Sequence, residues 1–173
     1  MDAVGNRLSK ADSVDGTTSY VYDANDRLLT ETKGSEVMSY GYDNNGNTQS
    51  KTKGTDITIY AWNDQGRLVS VQNPSTDAVS YEYNENGIRV SSTINGVKTS
   101  YLLDANRDYA QVLEEYDNSG TQVSYLYGHD LISQNRNGAK SFYLYDGLGS
   151  TKALTDASGV VTDAISMMLM VMS

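Results

Sequence analysis

The sequence predicts an all-β protein built from repeated antiparallel β-hairpins, and three observations carry this prediction. Pairs of residues two positions apart recur, aromatic in every case except Leu103; the first five pairs are spaced 20 or 21 residues apart, and a turn sequence follows each of the first four. Side chains two positions apart share one face of a strand but lie far apart around a helix. The pairs are Tyr20/Tyr22, Tyr40/Tyr42, Tyr60/Trp62, Tyr81/Tyr83 and Tyr101/Leu103, followed at looser spacing by Tyr125/Tyr127 and Tyr143/Tyr145.

Each repeat divides into two strands and two turns. Residues 79–83 alternate apolar and polar side chains, which is typical of a half-buried strand. Asp or Asn opens the turn that follows, and Gly46, Gly66 or Gly87 near its end tolerates positive φ. A second strand, such as residues 67–71, then leads to a second turn near Gly34, Gly54, Pro74 or Gly96.

No stretch of the sequence sustains a helical period. The nearest candidate is residues 109–116, for which a short helix and a bulged strand both remain open.

Composition excludes several classes of function. A formal net charge of −9 argues against nucleic-acid or anionic-membrane binding, which needs a basic surface. The absence of cysteine excludes disulfides and thiolate metal sites. The one apolar run, residues 167–172, is too short to span a membrane, and the N-terminus has no signal-peptide pattern. At 173 residues, the chain is long enough for one domain with an appreciable core.

The search for catalytic or metal-binding residues nominates none. His129 is the single histidine and lacks recognisable triad or zinc partners, which favours a turn residue. Residues 147–150 do not match the Gly-x-Ser-x-Gly elbow. Residues 43–47 are rich in Asp and Asn, yet no closing Glu completes a calcium loop, so turn chemistry is the simpler interpretation. The sequence therefore predicts a protein that is not an enzyme and needs no cofactor.

The aromatic pairs allow two interpretations. Twelve of the fourteen tyrosines belong to the pattern, and stacking of hairpins would align them into ladders of packed rings. Packing is the favoured interpretation, and a row of sugar-stacking platforms is the alternative.

The repeat resembles a known family. The repeat follows the pattern Tyr-x-Tyr-Asp-x-x-Gly-Arg-Leu, with Asp26 in place of Gly in residues 20–28 and Trp62-Asn63 in place of Tyr-Asp in residues 60–68. This pattern is similar to the YD repeats of bacterial RHS proteins, of the C component of insecticidal toxin complexes and of animal teneurins. Residues 125–134 and 143–156 resemble the start of the RHS repeat-associated core. The resemblance covers the chain from Gly5 to about Asp163.

The resemblance implies a curved, spiralling sheet that forms part of a hollow shell around a C-terminal toxin or effector. It implies YD repeats over residues 1–115, the start of the core over 116–163, and an aberrant Met-rich tail over 164–173. Many family members cleave themselves with aspartates in a motif that lies downstream, so no catalytic residue is carried over. The intact family is secreted or displayed at the cell surface.

Both ends depart from the family pattern. Met1 stands where a tyrosine is expected, and residues 165–173 replace an expected Tyr-Asp-Ala-Tyr-Gly-Asn segment. The methionine codons are compatible with that segment in a shifted reading frame, so the hypothesis is a frameshifted fragment truncated at both ends.

Three functions follow as hypotheses. The favoured one is a non-catalytic piece of an encapsulating shell, whose partners are the rest of the shell and its enclosed toxin, and which self-associates through open strand edges. The alternative is a carbohydrate- or cell-wall-binding hairpin module that binds glycans. The third is an enzyme with an unrecognised carboxylate site.

Overall fold

The computed structural model describes residues 1–74 and 76–164, which form sixteen β-strands and no helix. The strands are β1 (Ser9–Asp12), β2 (Gly16–Tyr22), β3 (Leu28–Lys33), β4 (Glu36–Tyr42), β5 (Thr48–Lys53), β6 (Asp56–Trp62), β7 (Leu68–Gln72), β8 (Val79–Tyr83), β9 (Arg89–Ile94), β10 (Val97–Asp104), β11 (Gln111–Asp117), β12 (Gly120–Tyr127), β13 (Leu131–Arg136), β14 (Ala139–Tyr145), β15 (Thr151–Thr155) and β16 (Val161–Ala164).

The described residues fall into two compact units, one ending at Val97 and the other beginning at Lys98. In the first unit, β1 to β9 pair antiparallel in chain order. In the second, β10 to β16 do the same. The prediction of an all-β fold of repeated antiparallel hairpins is confirmed.

Two kinds of turn recur along the chain. The first kind is a five-residue turn that follows the second aromatic of a pair. In the turn from Asp43 to Asn47, the Asp43 N–H donates to the Asn47 carbonyl (2.9 Å) and the Gly46 N–H donates to the Asp43 carbonyl (3.1 Å). Its fourth residue takes positive φ, which is +88° at Gly46. The other kind is a two-residue turn such as Asn95-Gly96, with φ of +51° and +83°.

A β-bulge accompanies the second aromatic of each repeat. Val21 pairs with Thr30 whereas Tyr22 pairs with Leu28, so Leu29 is the extra residue. The same shift recurs at Tyr42, Trp62, Tyr83, Tyr127 and Tyr145. Residues 109–116 prove to be largely strand β11, with register shifts against both neighbours, so the bulged-strand interpretation is confirmed.

The length of the chain permits an appreciable core, but the described residues do not form one. Val123 is the one apolar residue that is buried in the described part of the chain, with no exposed surface. Within each unit a strand packs against its neighbours in the chain, so no second layer covers the sheet. Chain length therefore did not predict burial, because a core also requires two layers to face each other.

The Met-rich tail lies outside the described residues except for Ala164, so the frameshift hypothesis is not tested. The predicted division at residue 116 likewise stays a prediction. Over residues 1–74 and 76–164, the structure contains no apolar helix of membrane-spanning length.

Candidate functional site

The aromatic pairs lie on one face of each unit, which we call the tyrosine face. In the first unit, Tyr20 and Tyr22 lie on the same side of β2 because side chains alternate between the two sides of a strand. Tyr20 pairs with Glu31, Glu31 with Met38, and Met38 with Lys53, so these residues continue the same face across the neighbouring strands. The remaining aromatics occupy corresponding positions, namely Tyr40, Tyr42, Tyr60, Trp62, Tyr81 and Tyr83 in the first unit, and Tyr101, Tyr125, Tyr127, Tyr143 and Tyr145 in the second.

The second aromatic of a pair ties its hairpin to the preceding one. The Tyr42 hydroxyl donates to the Leu28 carbonyl (2.8 Å), fourteen residues earlier, just after the preceding turn. Trp62 makes the same bond through its indole Nε1–H to the Thr48 carbonyl (2.8 Å). Tyr22, Tyr83 and Tyr145 donate in the same way to Arg7 (3.2 Å), Leu68 (2.8 Å) and Leu131 (2.6 Å).

The sequence did not predict these bonds, in which the second aromatic donates to a backbone carbonyl. The bulge leaves this carbonyl beside the ladder, where a donor from the next repeat can reach it. The signal for this bond in the sequence is Trp62, because indole, like phenol, carries a single hydrogen-bond donor.

The first aromatics have more varied surroundings. Tyr40 donates to the Met38 sulfur (3.1 Å), Tyr125 to Glu115 (2.5 Å) and Tyr143 to Gln134 (3.0 Å). Burial, followed by the hydrogen bond to the Glu115 carboxylate, raises the pKa of Tyr125. A proton held this firmly does not suit acid–base catalysis at neutral pH.

The turn acids bind their own backbone. In the turn from Asp43 to Asn47, the Asp43 Oδ1 accepts the N–H groups of Asn45 (2.9 Å) and Asn47 (2.8 Å), and Oδ2 accepts the Asn47 side chain (2.8 Å). The Asn47 side-chain donor is the main cause that lowers the pKa of Asp43. The predicted turn chemistry is confirmed, since these oxygens are occupied by protein donors.

The same pattern recurs along the chain, with either Asn or Asp at the first position of the turn. Asn63 Oδ1 accepts the N–H of Gln65 (3.0 Å) and of Arg67 (2.9 Å). Asp23, Asp146 and Asp156 accept the equivalent pairs of N–H groups. An amide therefore serves the turn as well as a carboxylate does.

Successive five-residue turns also touch each other in the first unit. The Asn6 amide donates to Asp26 (2.9 Å), and the Arg27 guanidinium bonds its own Asp23 (2.7 Å) and the Asp43 carbonyl (3.3 Å). Arg27 also lies 4.8 Å from the centre of the Tyr42 ring. Arg27 occupies the fifth position of its turn, which is the Arg of the Gly-Arg-Leu pattern, and it links this turn to the next one. The sequence alone did not assign it this role.

Glycine serves the turns in two ways. Gly46, Gly66 and Gly87 take φ of +88°, +71° and +77°, where a side chain is strained. A Cβ at Gly87 would also lie 1.9 Å from Nη2 of Arg67, so this glycine leaves room for the preceding turn's arginine.

Several known proteins are similar to this chain in sequence or in fold. No family model matches the chain. Over 161 residues, 91% of the chain, it is 33% identical to the tRNA3(Ser)-specific nuclease WapA of Bacillus spizizenii. It superposes on TcdB2-TccC3 with a TM-score of 0.61 at 13% identity over 95% of the chain, and on the Photorhabdus luminescens Tc holotoxin pore with 0.57 at 16% over 89%.

The chain belongs to the RHS/YD-repeat proteins. The structural likeness shows the shared hairpin fold, and the sequence likeness extends through almost all of the repeats. The RHS segment spans 5% of the nuclease and 12% and 11% of the two solved chains, so it matches a small part of each.

The remaining candidate residues of this RHS segment lie apart. His129 is exposed between β12 and β13, where the Gly128 N–H donates to the Asp130 carbonyl (2.9 Å). Residues 147–150 form part of a five-residue turn rather than a nucleophile elbow. Across residues 1–74 and 76–164, no group of three His, Cys, Asp or Glu side chains is placed to hold a metal ion.

Proposed function

We propose that this chain is a structural, non-catalytic segment of an encapsulating β-shell in a bacterial RHS toxin or cell-surface protein. Its YD repeats would occupy residues 1–115 and the start of the repeat-associated core 116–163. Its partners would be the rest of the shell and the segment that the shell encloses, in a secreted or surface-displayed parent.

The observation that carries the proposal is the bond from the second aromatic to the preceding hairpin. Where the second residue of the pair is Tyr22, Tyr42, Trp62, Tyr83 or Tyr145, it donates to a carbonyl of the preceding hairpin, such as Leu28 for Tyr42 and Thr48 for Trp62. An array built this way grows by adding hairpins, and it gains stability from neighbours rather than from a closed core. Such a unit suits a long wall and needs no active site.

A segment exchange tests this proposal. The 161-residue matching segment of the Bacillus spizizenii nuclease is replaced by the present chain, and the product is examined by limited proteolysis. We expect the exchanged protein to resist protease as its parent does. The control carries alanine at Tyr22, Tyr42, Trp62 and Tyr83, and we expect cleavage inside the segment. Equal cleavage of both proteins would contradict a shell role.

The non-catalytic part of the proposal has a separate test. Purified chain is incubated for days and followed by denaturing gel electrophoresis, and we expect one unchanged band. Appearance of discrete fragments that a protease-inhibitor mixture does not suppress would instead indicate self-cleavage.

Carbohydrate binding is the second candidate, and one hollow favours it. Tyr60, Tyr81, Lys51 and Asp56 line an open cavity of about 510 Å³ on the tyrosine face. Aromatic faces beside polar groups suit a sugar ring. Titration with soluble cell-wall glycan fragments, followed by Trp62 fluorescence and calorimetry, would support this role if binding is saturable and is lost in Tyr60→Ala.

A further inference from the structure

Charge is distributed unequally between the two faces of the first unit. Glu31, Lys33, Glu36, Lys51 and Lys53 all lie on the tyrosine face of β3–β5. The opposite face, which we call the hydroxyl face, consists of side chains in β2–β9 that alternate with those of the tyrosine face. On the paired positions of this face Glu82 is the one ionisable group, and the Ser91 hydroxyl donates to it (2.8 Å).

The hydroxyl face cannot cover itself. Tyrosine, lysine and glutamate side chains are long enough to lie across the sheet and shield one another. The hydroxyl face instead carries short residues, such as Ser39, Ser50, Thr52, Ser70 and Ser80.

The aliphatic residues on this face are correspondingly open. Val21 is 54% exposed, Val37 48%, Ile57 48% and Ile59 51%. Exposed aliphatic side chains gathered on a face whose paired positions carry a single ionisable group, Glu82, mark a surface that gains stability when it is covered.

The relief of this face contains both a ridge and hollows. Ile57 and Ile59 project from β6. On one side, a hollow of about 670 Å³ is bordered by Val37, Ser39 and Thr52 but also by the charged residues Glu36, Lys53 and Asp56, so it does not suit an apolar contact. On the other side, a hollow of about 330 Å³ lies over Ser70, Gln72, Ser80 and Thr93. The isoleucine side chains of the ridge can enter a hollow lined by small residues, and the ridge and the hollow lie on the same face.

We propose that the hydroxyl face docks a second copy of this chain, face to face about a two-fold axis. The isoleucine ridge of each copy enters the hollow over Ser70 and Ser80 of the other. A surface that carries both a ridge and a matching hollow is self-complementary, which is the requirement of an isologous interface.

Charge favours this contact over others that two copies could make. The chain carries a net charge of −9, so copies repel one another in general. Contact through the tyrosine face would desolvate ion pairs such as Lys53–Glu36 (2.9 Å). Contact through the hydroxyl face buries hydroxyls and aliphatic groups and leaves those pairs in water.

The size of the surface sets the expected strength. Strands about 4.8 Å apart with three outward residues each give β3–β9 roughly 500 Å² per copy. Two such faces bury roughly 1,000 Å², which is the lower limit of a specific interface. We therefore expect a weak, concentration-dependent dimer rather than a permanent one.

Sedimentation velocity over a wide concentration range tests the proposal. The natural sequence should show a monomer–dimer equilibrium, and Ile59→Lys should raise its dissociation constant at least tenfold. Ile94→Lys is the matched control, because Ile94 is 46% exposed but lies on the tyrosine face opposite Val79. A chain that stays monomeric, or an equal loss in both variants, would overturn the proposal.

Cysteine cross-linking distinguishes this face from the strand edges. The chain has no cysteine, so the double variant Ile59→Cys/Ser80→Cys can be oxidised selectively. Its two positions lie on β6 and β8, about 10 Å apart, which is too far for a disulfide within one chain. We expect covalent dimers from this variant and none from Thr58→Cys/Ile94→Cys on the tyrosine face. Dimers that persist in Ile59→Lys without cross-linking would indicate association through edges and would refute face docking.

Discussion

At the residue scale, the two aromatics of a pair have different tasks although they share one face. The second aromatic carries a donor that reaches the carbonyl released by the bulge of the preceding hairpin, as Tyr42 reaches Leu28. Within the described residues, the Tyr60 hydroxyl has no such bond, and its ring packs on the open face. The hydrogen bond, rather than the ring alone, therefore joins neighbouring repeats.

This difference predicts the outcome of removing one oxygen. Tyr42→Phe keeps the ring and its contact with Arg27 but leaves the Leu28 carbonyl without its donor, which should lower the free energy of unfolding by about 1 kcal/mol. Tyr60→Phe is the control and should change it by less than about 0.5 kcal/mol. Urea titration followed by circular dichroism measures both, and equal losses would show that the hydrogen bond is not the cause.

The turn acids also predict a pH dependence. Hydrogen bonds from the Asn47 side chain and from backbone N–H groups lower the pKa of Asp43 below 3.8 in the folded chain. A lowered folded pKa stabilises the fold above the ordinary pKa, and this contribution is lost as the pH falls through 3.8 toward the folded value. Asp23 behaves alike, mainly through the Arg27 N–H.

Asp43→Asn isolates that contribution, because Asn63 and Asn84 fill the same turn position naturally. The urea midpoint should be nearly unchanged at pH 7, and its decrease between pH 5 and pH 3, a window of roughly 2 units about the ordinary pKa, should be smaller than in the natural chain. An unchanged acid response would assign acid sensitivity to other carboxylates.

At the element scale, the five-residue turn determines how its strands pair. Its fourth residue takes positive φ, and the following bulge shifts the register at the second aromatic. Glycine supplies this conformation without strain, whereas other positions of the same turn take ordinary φ.

Two glycines in one turn make this testable. Gly149 has φ of +80° and Gly147 does not have positive φ, and a Cβ would meet nothing at either site. Gly149→Ala should therefore lower the free energy of unfolding by about 1 kcal/mol through backbone strain alone. Gly147→Ala should be neutral or slightly stabilising, because it restricts the unfolded chain. Thermal unfolding compares the two, and a larger loss at Gly147 would contradict this account.

At the scale of the whole molecule, stability is local. Within each unit the strands pack against their chain neighbours, and Val123 is the one buried apolar residue in the described part. Arrays of this kind open in parts, since the loss of one contact affects the adjoining hairpins first.

Val123→Ala should accordingly act locally. Removing this buried side chain should cost about 1–3 kcal/mol. Hydrogen exchange should show faster opening in β11 to β13, with β1 to β9 unchanged. Val161→Ala, at an exposed valine in the same unit, is the control and should have little effect. Uniformly faster exchange across both units would instead indicate one cooperative fold.

Much of this architecture could be predicted from local sequence. Pairs such as Tyr60/Trp62 indicate strands because a period of two is decided by neighbouring residues, and Asp43 and Gly46 indicate turns for the same reason. The resemblance to YD repeats then identified the family. The bond from Trp62 to the Thr48 carbonyl was missed, because it joins residues from different hairpins.

The sequence by itself determined the elements of this protein: the strands, the turn chemistry, the repeat length and the family. Only the tertiary structure decided that second aromatics such as Tyr42 join successive hairpins, that Arg27 bridges two turns, and that almost no apolar side chain of the described residues is buried. It also decided that most of the charge in the first unit's strands lies on one face, while Ile57 and Ile59 are exposed on the other. The physical reason is range: propensity and turn geometry depend on adjacent residues, whereas burial and bonds between hairpins depend on the register with which strands meet.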